Sequence, residues 1–254
     1  DRSLNEDYIT PKKVTAFSLK EVKSGDIGEY TYDSSQPAWM AGFDKEMDTD
    51  QGSSGGTVSG NSGVVYNGVM PGTGTFTGAR YLEGVYLLRG SNDTGTVVDD
   101  YAFQDCERLN DVSIADNISE LGVCPFYKCD SLKSVNFQNS PYYSCENSII
   151  FGLAGDGSRL SIVECLGGRT GYVEPTELEG VSKLEEAAFK GSNVRQVDLS
   201  KTTVNTIPKE AFANTLKLGR IVFPSSLQAI EDYAFEGSAV EFFNASNASN
   251  TLSL

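Results

Sequence analysis

The residues best suited to chemistry in this chain are three pairs of adjacent carboxylates, Asp99-Asp100, Glu185-Glu186 and Glu231-Asp232. Two carboxyl groups can hydrolyse a glycosidic bond when they face each other across a cleft, about 5 Å apart in retaining enzymes. Neighbours in sequence rarely converge on one substrate in this way. Each pair also stands three or four residues before a phenylalanine, at the same place in a recurring pattern. We therefore interpret the pairs as a polar turn position, and the sequence predicts a non-enzymatic protein.

Histidine is absent from the 254 residues, which removes Ser-His-Asp and Cys-His nucleophilic sites and the commonest zinc ligand. The five cysteines include no C-x-x-C pair, and an odd number in a chain of this length is not a disulfide framework. Cys106 and Cys129 are 23 residues apart and share one repeat position, so we expect a ladder of buried free thiols. A disulfide between the two is the alternative.

A group of aspartates, Asp44, Asp48 and Asp50 in DKEMDTD, suggests calcium. An EF-hand loop needs a glycine at its turn and a closing glutamate, and both are missing here. A solvated acidic loop is the favoured interpretation. The sequence thus predicts neither a metal site nor a cofactor.

The formal net charge is -15, from 20 basic and 35 acidic side chains spread along the chain. A diffuse negative surface repels phosphate backbones and anionic lipid headgroups, so we expect neither nucleic acid nor a membrane surface as a partner. No apolar run approaches the roughly 18 residues of a membrane-spanning helix. Asp1 does not begin a signal peptide, which fits either a cytoplasmic protein or one whose targeting segment has been removed.

Five phenylalanines mark an internal repeat. They form two series in which every step is 23 residues, Phe103 to Phe126 and Phe189 to Phe212 to Phe235. An aliphatic residue stands five positions before each of them, namely Val98, Leu121, Leu184, Ile207 and Ile230. Further apolar positions follow each phenylalanine, with one residue deleted in two of the repeats. So many columns holding one period indicate a solenoid.

The spacing within a repeat predicts its structure. The L-x-x-V-x-I segment alternates apolar and polar residues, which is typical of a short strand with one buried face. Pro224 or a polar residue ends the strand, since proline cannot continue a ladder. The Ala-Phe pair then fills the interior from the opposite wall. One unit cannot bury its own apolar columns, but stacked units with strands about 4.8 Å apart can.

The pattern in VDDYAFQDCERLNDVSI and IPKEAFANTLKLGRIVFP resembles the 23-residue leucine-rich repeat of BspA-like bacterial surface proteins, also called the Treponema pallidum-type repeat. The resemblance covers about residues 95–245. It implies a leucine-rich-repeat solenoid, rich in β-structure, with short parallel strands joined by turns or short helices. The segment SPYYSCENSIIFGLAGDGSRLSIVECLGGRTGYVEP is similar to a hairpin insertion common in such proteins. Independently, residues 149–151 and 160–165 around Asp156-Gly157 indicate two strands and a turn.

We expect residues 1–80 to form an N-terminal cap with a Gly/Ser-rich loop, and residues 81–254 to form the solenoid. A separate small domain over residues 1–80 is the alternative. The hairpin insertion is expected at about residues 138–175, and the strand at 85–88 is expected to open the solenoid. Pro125 replaces the alanine of the Ala-Phe pair, which predicts a distorted coil at that point.

Residues between the buried positions of each strand are predicted to point outward. Stacking lays them side by side as one extended polar face, the kind of surface with which solenoids bind proteins and glycans. Simple solvation of these side chains is the alternative. The predicted partner-binding face consists of Asp111, Ser113, Ser134, Asn136, Gln196, Asp198, Arg220, Val222, Phe242 and Asn244.

The family resemblance also implies a function. BspA-like proteins are extracytoplasmic, either secreted or held at the bacterial surface, including by a lipid anchor. The resemblance implies adhesion to host extracellular or cell-surface proteins, such as matrix proteins, or to other cells, and a glycan is the other expected partner. The resemblance therefore implies an adhesive protein. The alternative is a structural or accessory scaffold of a surface glycan-capture assembly.

Overall fold

The computed structural model describes residues 17–18, 63–67, 73–74, 76–79, 82–88 and 97–244. The aspartates Asp44, Asp48 and Asp50 and most of the expected cap, with its Gly/Ser-rich loop, lie outside these residues. The described part is a solenoid of about seven coils with almost no helix, which confirms the predicted fold class. A coil runs from a two-residue strand through the phenylalanine turn to a longer strand and back.

The longer strands form two parallel sheets. The first contains β1 (Phe17–Ser18), β2 (Gly63–Asn67), β3 (Gly84–Leu88) and β5 (Asp111–Ile114), in that order. The second contains β10 (Thr170–Val173), β12 (Asn193–Asp198), β14 (Arg220–Val222) and β16 (Phe242–Asn244). The strand expected at residues 85–88 is β3. Because β2 lies beside it in parallel, the sheet extends into residues 1–80.

The two-residue strands line a second side of the solenoid. They are β4 (Val97–Val98), β6 (Glu120–Leu121), β11 (Lys183–Leu184), β13 (Thr206–Ile207) and β15 (Ala229–Ile230). β4 pairs with β6, and β13 pairs with β15, in both cases in parallel and one repeat apart. Val98 aligns with Leu121, and Ile207 aligns with Ile230. The aliphatic residues five positions before each phenylalanine are therefore paired in register between these short strands.

The phenylalanine rings stack along the interior. The ring centroids of Phe103 and Phe126 are 5.5 Å apart, and those of Phe189 and Phe212 are 4.9 Å apart. The backbone follows the same step, because the Phe212 N–H donates to the Ala234 carbonyl at 2.7 Å, and the Phe103 N–H bonds the next coil in the same way. Backbone bonds and ring contacts therefore join neighbouring coils at one point.

The prediction of a distorted coil at Pro125 is wrong. Its carbonyl accepts the Phe103 N–H at 2.8 Å, and the Phe126 ring remains in the stack. Cys124, just before it, has a φ of 44°, close to the 51° of Tyr101 at the same place one repeat earlier. Proline lacks the N–H that Ala188, Ala211 and Ala234 donate within their own turns, but it retains the carbonyl that bonds to the neighbouring coil.

All five cysteines are free thiols. Cys106 and Cys129 occupy equivalent places, as expected, and both are fully buried. The Cys129 thiol donates to the Phe103 carbonyl at 3.1 Å, and the Cys106 thiol donates to the Phe76 carbonyl at 3.2 Å. Each thiol thus acts as a small apolar group that also bonds to the preceding coil.

A three-stranded antiparallel unit interrupts the stack after Phe126. It consists of β7 (Tyr143–Glu146), β8 (Ile149–Leu153) and β9 (Arg159–Cys165), with the predicted turn at Asp156-Gly157. The apolar run in β8 is continuous because both faces are buried. Ile150 packs into the core of the N-terminal coils, whereas Ile149 and Phe151 pack into the core of the C-terminal coils.

β9 and β10 belong to a further coil. β9 pairs in parallel with β11, and β10 pairs in parallel with β12. The Cys165 N–H donates to the Ala188 carbonyl at 2.6 Å, which is the bond that a phenylalanine makes in the other coils. A cysteine therefore takes the place of the ring, so the phenylalanine spacing does not reveal this coil.

A buried carboxyl group, Glu164, lies at this joint and is 3% exposed. Its Oε2 accepts the Phe126 N–H at 3.3 Å, replacing the carbonyl that a regular coil would supply. Burial raises the pKa of Glu164 to about 8, although the Phe126 N–H opposes the shift. A pKa of about 8 favours the protonated, neutral carboxyl group at pH 7. Besides burial, the charge of Glu164 is one of the influences that raise the pKa of Cys124, Cys129, Cys145 and Cys165.

Phe212→Ala should lower the free energy of unfolding by about 3 to 5 kcal/mol, because the ring is fully buried between two others. Urea unfolding followed by circular dichroism measures the change. Leu216→Ala is the control, since that side chain is 74% exposed, and it should change stability by less than about 0.5 kcal/mol. Equal losses for the two variants would contradict the stacked core.

Glu164→Gln should remove a pH dependence of stability. The folded-state pKa of about 8 lies above the ordinary value of 4.5, so the folded protein keeps a proton that the unfolded chain releases. The contribution is complete below pH 4.5 and is lost as pH rises to about 8, at up to about 1.4 kcal/mol per pH unit.

Urea unfolding of the wild type and Glu164→Gln over that pH range provides the measurement. The glutamine keeps an oxygen acceptor for the Phe126 N–H but does not titrate, so its stability should fall less steeply with pH. Glu236→Gln, at an exposed position, should retain the wild-type slope. Parallel curves for the wild type and Glu164→Gln would refute the assignment of this slope to Glu164.

Candidate functional site

The predicted partner-binding face is assembled in its C-terminal half. Gln196 aligns with Arg220, and Arg220 aligns with Phe242, across three neighbouring strands. Asp198, Val222 and Asn244 form the parallel row two residues further along. The buried residues Val197 and Ile221 separate the two rows and point into the core, so the rows lie on the opposite side of the sheet.

The N-terminal half of the face belongs to the other sheet. Asp111 and Ser113 lie in β5, and Ser113 forms a parallel bridge with Asn136. Ser134 and Asn136 are both exposed. After Asn136 the chain enters the antiparallel unit and returns at β10, which pairs with β12 in the second sheet. The ten predicted residues are therefore divided between two hydrogen-bonded sheets.

Two of the ten side chains are not exposed as expected. Ser113 and Val222 are each 8% exposed. Gln138 covers Ser113 and donates from Nε2 to the serine Oγ at 2.7 Å. Val222 lies between the strands that carry Asp198 and Asn244. These two positions offer a partner little accessible surface.

Tyr172, which the repeat pattern did not single out, aligns with Gln196 and completes the row. Its ring is 38% exposed, and its hydroxyl donates to Asp198 Oδ2 at 3.2 Å. Burial and the Asp198 carboxylate raise the pKa of Tyr172, so the hydroxyl stays protonated. The alternation in Thr170–Val173 was the available signal, but the missing phenylalanine hid that coil.

The resulting surface is a ladder of four side chains, Tyr172, Gln196, Arg220 and Phe242, which we call the face row. Its two ends are aromatic, and Phe242 is 66% exposed. Its centre carries an amide and a guanidinium group, with Asp198 alongside. Strand pairing sets the spacing at about 4.8 Å per side chain, so the row presents apolar, hydrogen-bonding and charged groups on a rigid support.

Side chains of the carboxylate pairs accept backbone hydrogen bonds and form an ion pair, as expected for a polar turn position. Asp100 Oδ1 accepts the Val123 N–H at 2.7 Å, and Glu231 Oε2 accepts the Lys209 N–H at 2.9 Å, in both cases from a neighbouring coil. Glu186 pairs with Lys209 at 2.9 Å. Within the described residues, no group of three His, Cys, Asp or Glu side chains is arranged to hold a metal ion.

Lys190 is a second residue that the sequence did not single out. It pairs with Glu210, donates to the Tyr101 hydroxyl at 3.2 Å, and lies over the rings of Tyr101 and Tyr127. Burial lowers the pKa of Lys190, but the bonds to Glu210 and Tyr101 outweigh it and raise the pKa overall. The cation therefore connects coils on both sides of the antiparallel unit, and its contacts are structural.

Comparison with known proteins assigns the family. The BspA type Leucine rich repeat region matches residues 76–150 and 174–253 in six copies. The chain belongs to this BspA-type leucine-rich-repeat family. The unmatched residues 151–173 include β9 and β10, where the cysteine replaces the phenylalanine. No curated protein sequence matches the chain at a significant level.

Several solved structures are similar to this chain at low sequence identity. The pneumococcal vaccine antigen PcpA superposes with a TM-score of 0.55 at 20% identity, over 69% of this chain and 42% of PcpA. A leucine rich cell surface protein of Faecalibacterium prausnitzii gives 0.47 at 17% identity, over 69% of this chain and 51% of that protein. The T. pallidum leucine rich repeat protein gives 0.41 at 18%, over 73% and 87%. The chain thus spans less than half of PcpA.

The repeat family and its solenoid are typical of protein-interaction modules. Across the part of the chain that the structure describes, no helix is both long enough and apolar enough to cross a lipid bilayer.

Proposed function

We propose that this chain is the partner-binding repeat region of a non-enzymatic, extracytoplasmic protein that mediates protein–protein contact or cell adhesion. The observation that carries the proposal is the face row, in which Tyr172, Gln196, Arg220 and Phe242 are all exposed. Two aromatic side chains supply apolar contact area, and Gln196 and Arg220 supply directional hydrogen bonds. This combination is enriched at protein interfaces.

The partner proposed for this face is a host extracellular or cell-surface protein, such as a matrix protein. The protein that contains this repeat region would be secreted or attached to the cell surface, with a lipid anchor as one means of attachment. The BspA-type family supports this location. PcpA, which shares the fold, is described as a vaccine antigen, and that description applies to PcpA itself.

The second candidate is a scaffold or accessory subunit of a surface glycan-capture assembly. Tyr172 and Phe242 favour it, because exposed aromatic rings can stack on the apolar faces of sugars, and Gln196 between them can bond to hydroxyl groups. An array of purified matrix proteins and glycans probed with the chain separates the two candidates. Matrix proteins should be retained if the chain is adhesive, and glycans if it serves glycan capture.

Charge reversal tests the face itself. Asp111→Lys, Asp198→Lys and Arg220→Glu combined should weaken binding to the ligand found on the array by at least about tenfold, because three contact charges change sign. The matched control combines Asp232→Lys, Glu236→Lys and Lys201→Glu, three exposed residues outside the predicted face. Surface plasmon resonance measures both variants. Undiminished binding by the face variant would show that another surface binds the ligand.

A further inference from the structure

A groove of about 400 Å³ opens where the antiparallel unit leaves the solenoid. β6 forms one wall, and the neighbouring wall comes from the antiparallel unit and from Glu185 and Glu186 of the next regular coil. None of its lining residues belongs to the face row. It is therefore a candidate site apart from the proposed function.

The interruption of the short-strand column creates this groove. In the C-terminal half, β13 pairs directly with β15 of the following coil. β6 is instead followed by Tyr143, whose hydroxyl accepts the Leu121 N–H at 3.0 Å and donates to the Ser119 carbonyl at 3.2 Å. The Tyr143 phenol group occupies the position where a strand would otherwise pair with β6. Open space therefore remains beside the phenol group.

The groove is lined by carboxylates and by no basic side chain of the described residues. Glu120 lies on one wall and Glu185 on the other, and both act on the Tyr143 hydroxyl between them. Burial raises the pKa of Tyr143, and the charges of Glu120 and Glu185 raise it further. Lys183 pairs with Glu185 at 2.5 Å, whereas Glu120 makes no ion pair within the described part of the chain.

A hydroxyl group that faces the groove lines the same space. Ser161 is 3% exposed and lines the groove, yet its hydroxyl makes no hydrogen bond to any described residue. Gly152 leaves this hydroxyl uncovered, since a Cβ at that position would come within 2.6 Å of it. Because this hydroxyl opens into the groove and has no protein partner among the described residues, a ligand in the groove can donate a hydrogen bond to it or accept one from it.

Apolar surface completes the lining. Tyr142 and Leu160 are large side chains on the antiparallel unit, 43% and 45% exposed, and both border the groove. An alkyl chain could pack against them while its charged end reached the carboxylates. A tyrosine ring beside a cation adds a further favourable contact.

We propose that this groove binds an arginine or lysine side chain presented by an extended segment of a partner protein. The carboxylates of Glu120 and Glu185 receive the cationic end, the Ser161 hydroxyl takes one hydrogen bond, and Leu160 and Tyr142 contact the aliphatic stem. Arginine suits the site better than lysine, because its planar guanidinium can bond to two carboxylates at once. The solenoid would then have two recognition surfaces, the face row and this groove.

Fluorescence polarisation with labelled pentapeptides tests the proposal. GLRLG, GLKLG and a peptide with citrulline in place of arginine present the same backbone with a guanidinium, an ammonium or a neutral isostere. The arginine peptide should bind saturably below about 1 mM and the citrulline peptide at least about tenfold more weakly. Raising the salt concentration should weaken the arginine peptide selectively.

Variants assign the binding to the groove. Glu120→Gln with Glu185→Gln should weaken the arginine peptide at least about tenfold, and Ser161→Ala should weaken it several-fold, roughly the loss of one charged hydrogen bond. Glu236→Gln with Glu241→Gln removes the same two charges at exposed positions outside the groove and should leave affinity unchanged. Circular dichroism confirms that each variant is folded.

Three results would overturn the proposal. They are no saturable binding of the arginine peptide, equal affinity for the citrulline peptide, and equal losses in the groove and control variants. The last would show that the overall negative charge attracts the peptide. The face variant Asp111→Lys, Asp198→Lys and Arg220→Glu should bind the arginine peptide normally, so failure of the adhesive proposal and failure of this one are distinguishable.

Discussion

The structure depends on the contact between one coil and the next, because a single coil cannot bury its own apolar residues. A phenylalanine ring from each regular coil lies on the ring of its neighbour, and the backbone N–H of the same residue bonds across the same gap. Ring and backbone therefore share one spacing. Strand register, the aliphatic column and the thiol ladder all follow from that step.

The same dependence explains the antiparallel unit. A stack of rings cannot simply be broken, since each open end would expose apolar surface to water. Here the unit fills the break by burying both faces of β8, with Ile150 in one core and Phe151 in the other. Glu164 supplies the missing acceptor for Phe126, and Lys190 bridges the two sides. The joint is thus held by polar groups as well as apolar ones.

Partner binding can use the side chains that the stacked coils leave exposed to solvent. Strand pairing places Tyr172, Gln196, Arg220 and Phe242 in a row without any bond between their side chains. The interruption at Tyr143 opens an acidic groove on a different part of the surface. One surface comes from the regularity of the repeat and the other from its interruption at the antiparallel unit, and both rest on strands held by backbone hydrogen bonds.

The sequence by itself determined the repeat length, the buried columns and hence the solenoid, because a 23-residue period is a local property of the chain. It also placed Gln196 beside Arg220 and Arg220 beside Phe242. Only the tertiary structure decided the joint, where Glu164 meets Phe126 over 38 residues and Lys190 meets Tyr101 over 89. The tertiary structure also buried Ser113 and Val222, divided the predicted face between two hydrogen-bonded sheets and added Tyr172. Such contacts depend on how distant segments pack, and no spacing within one repeat encodes them.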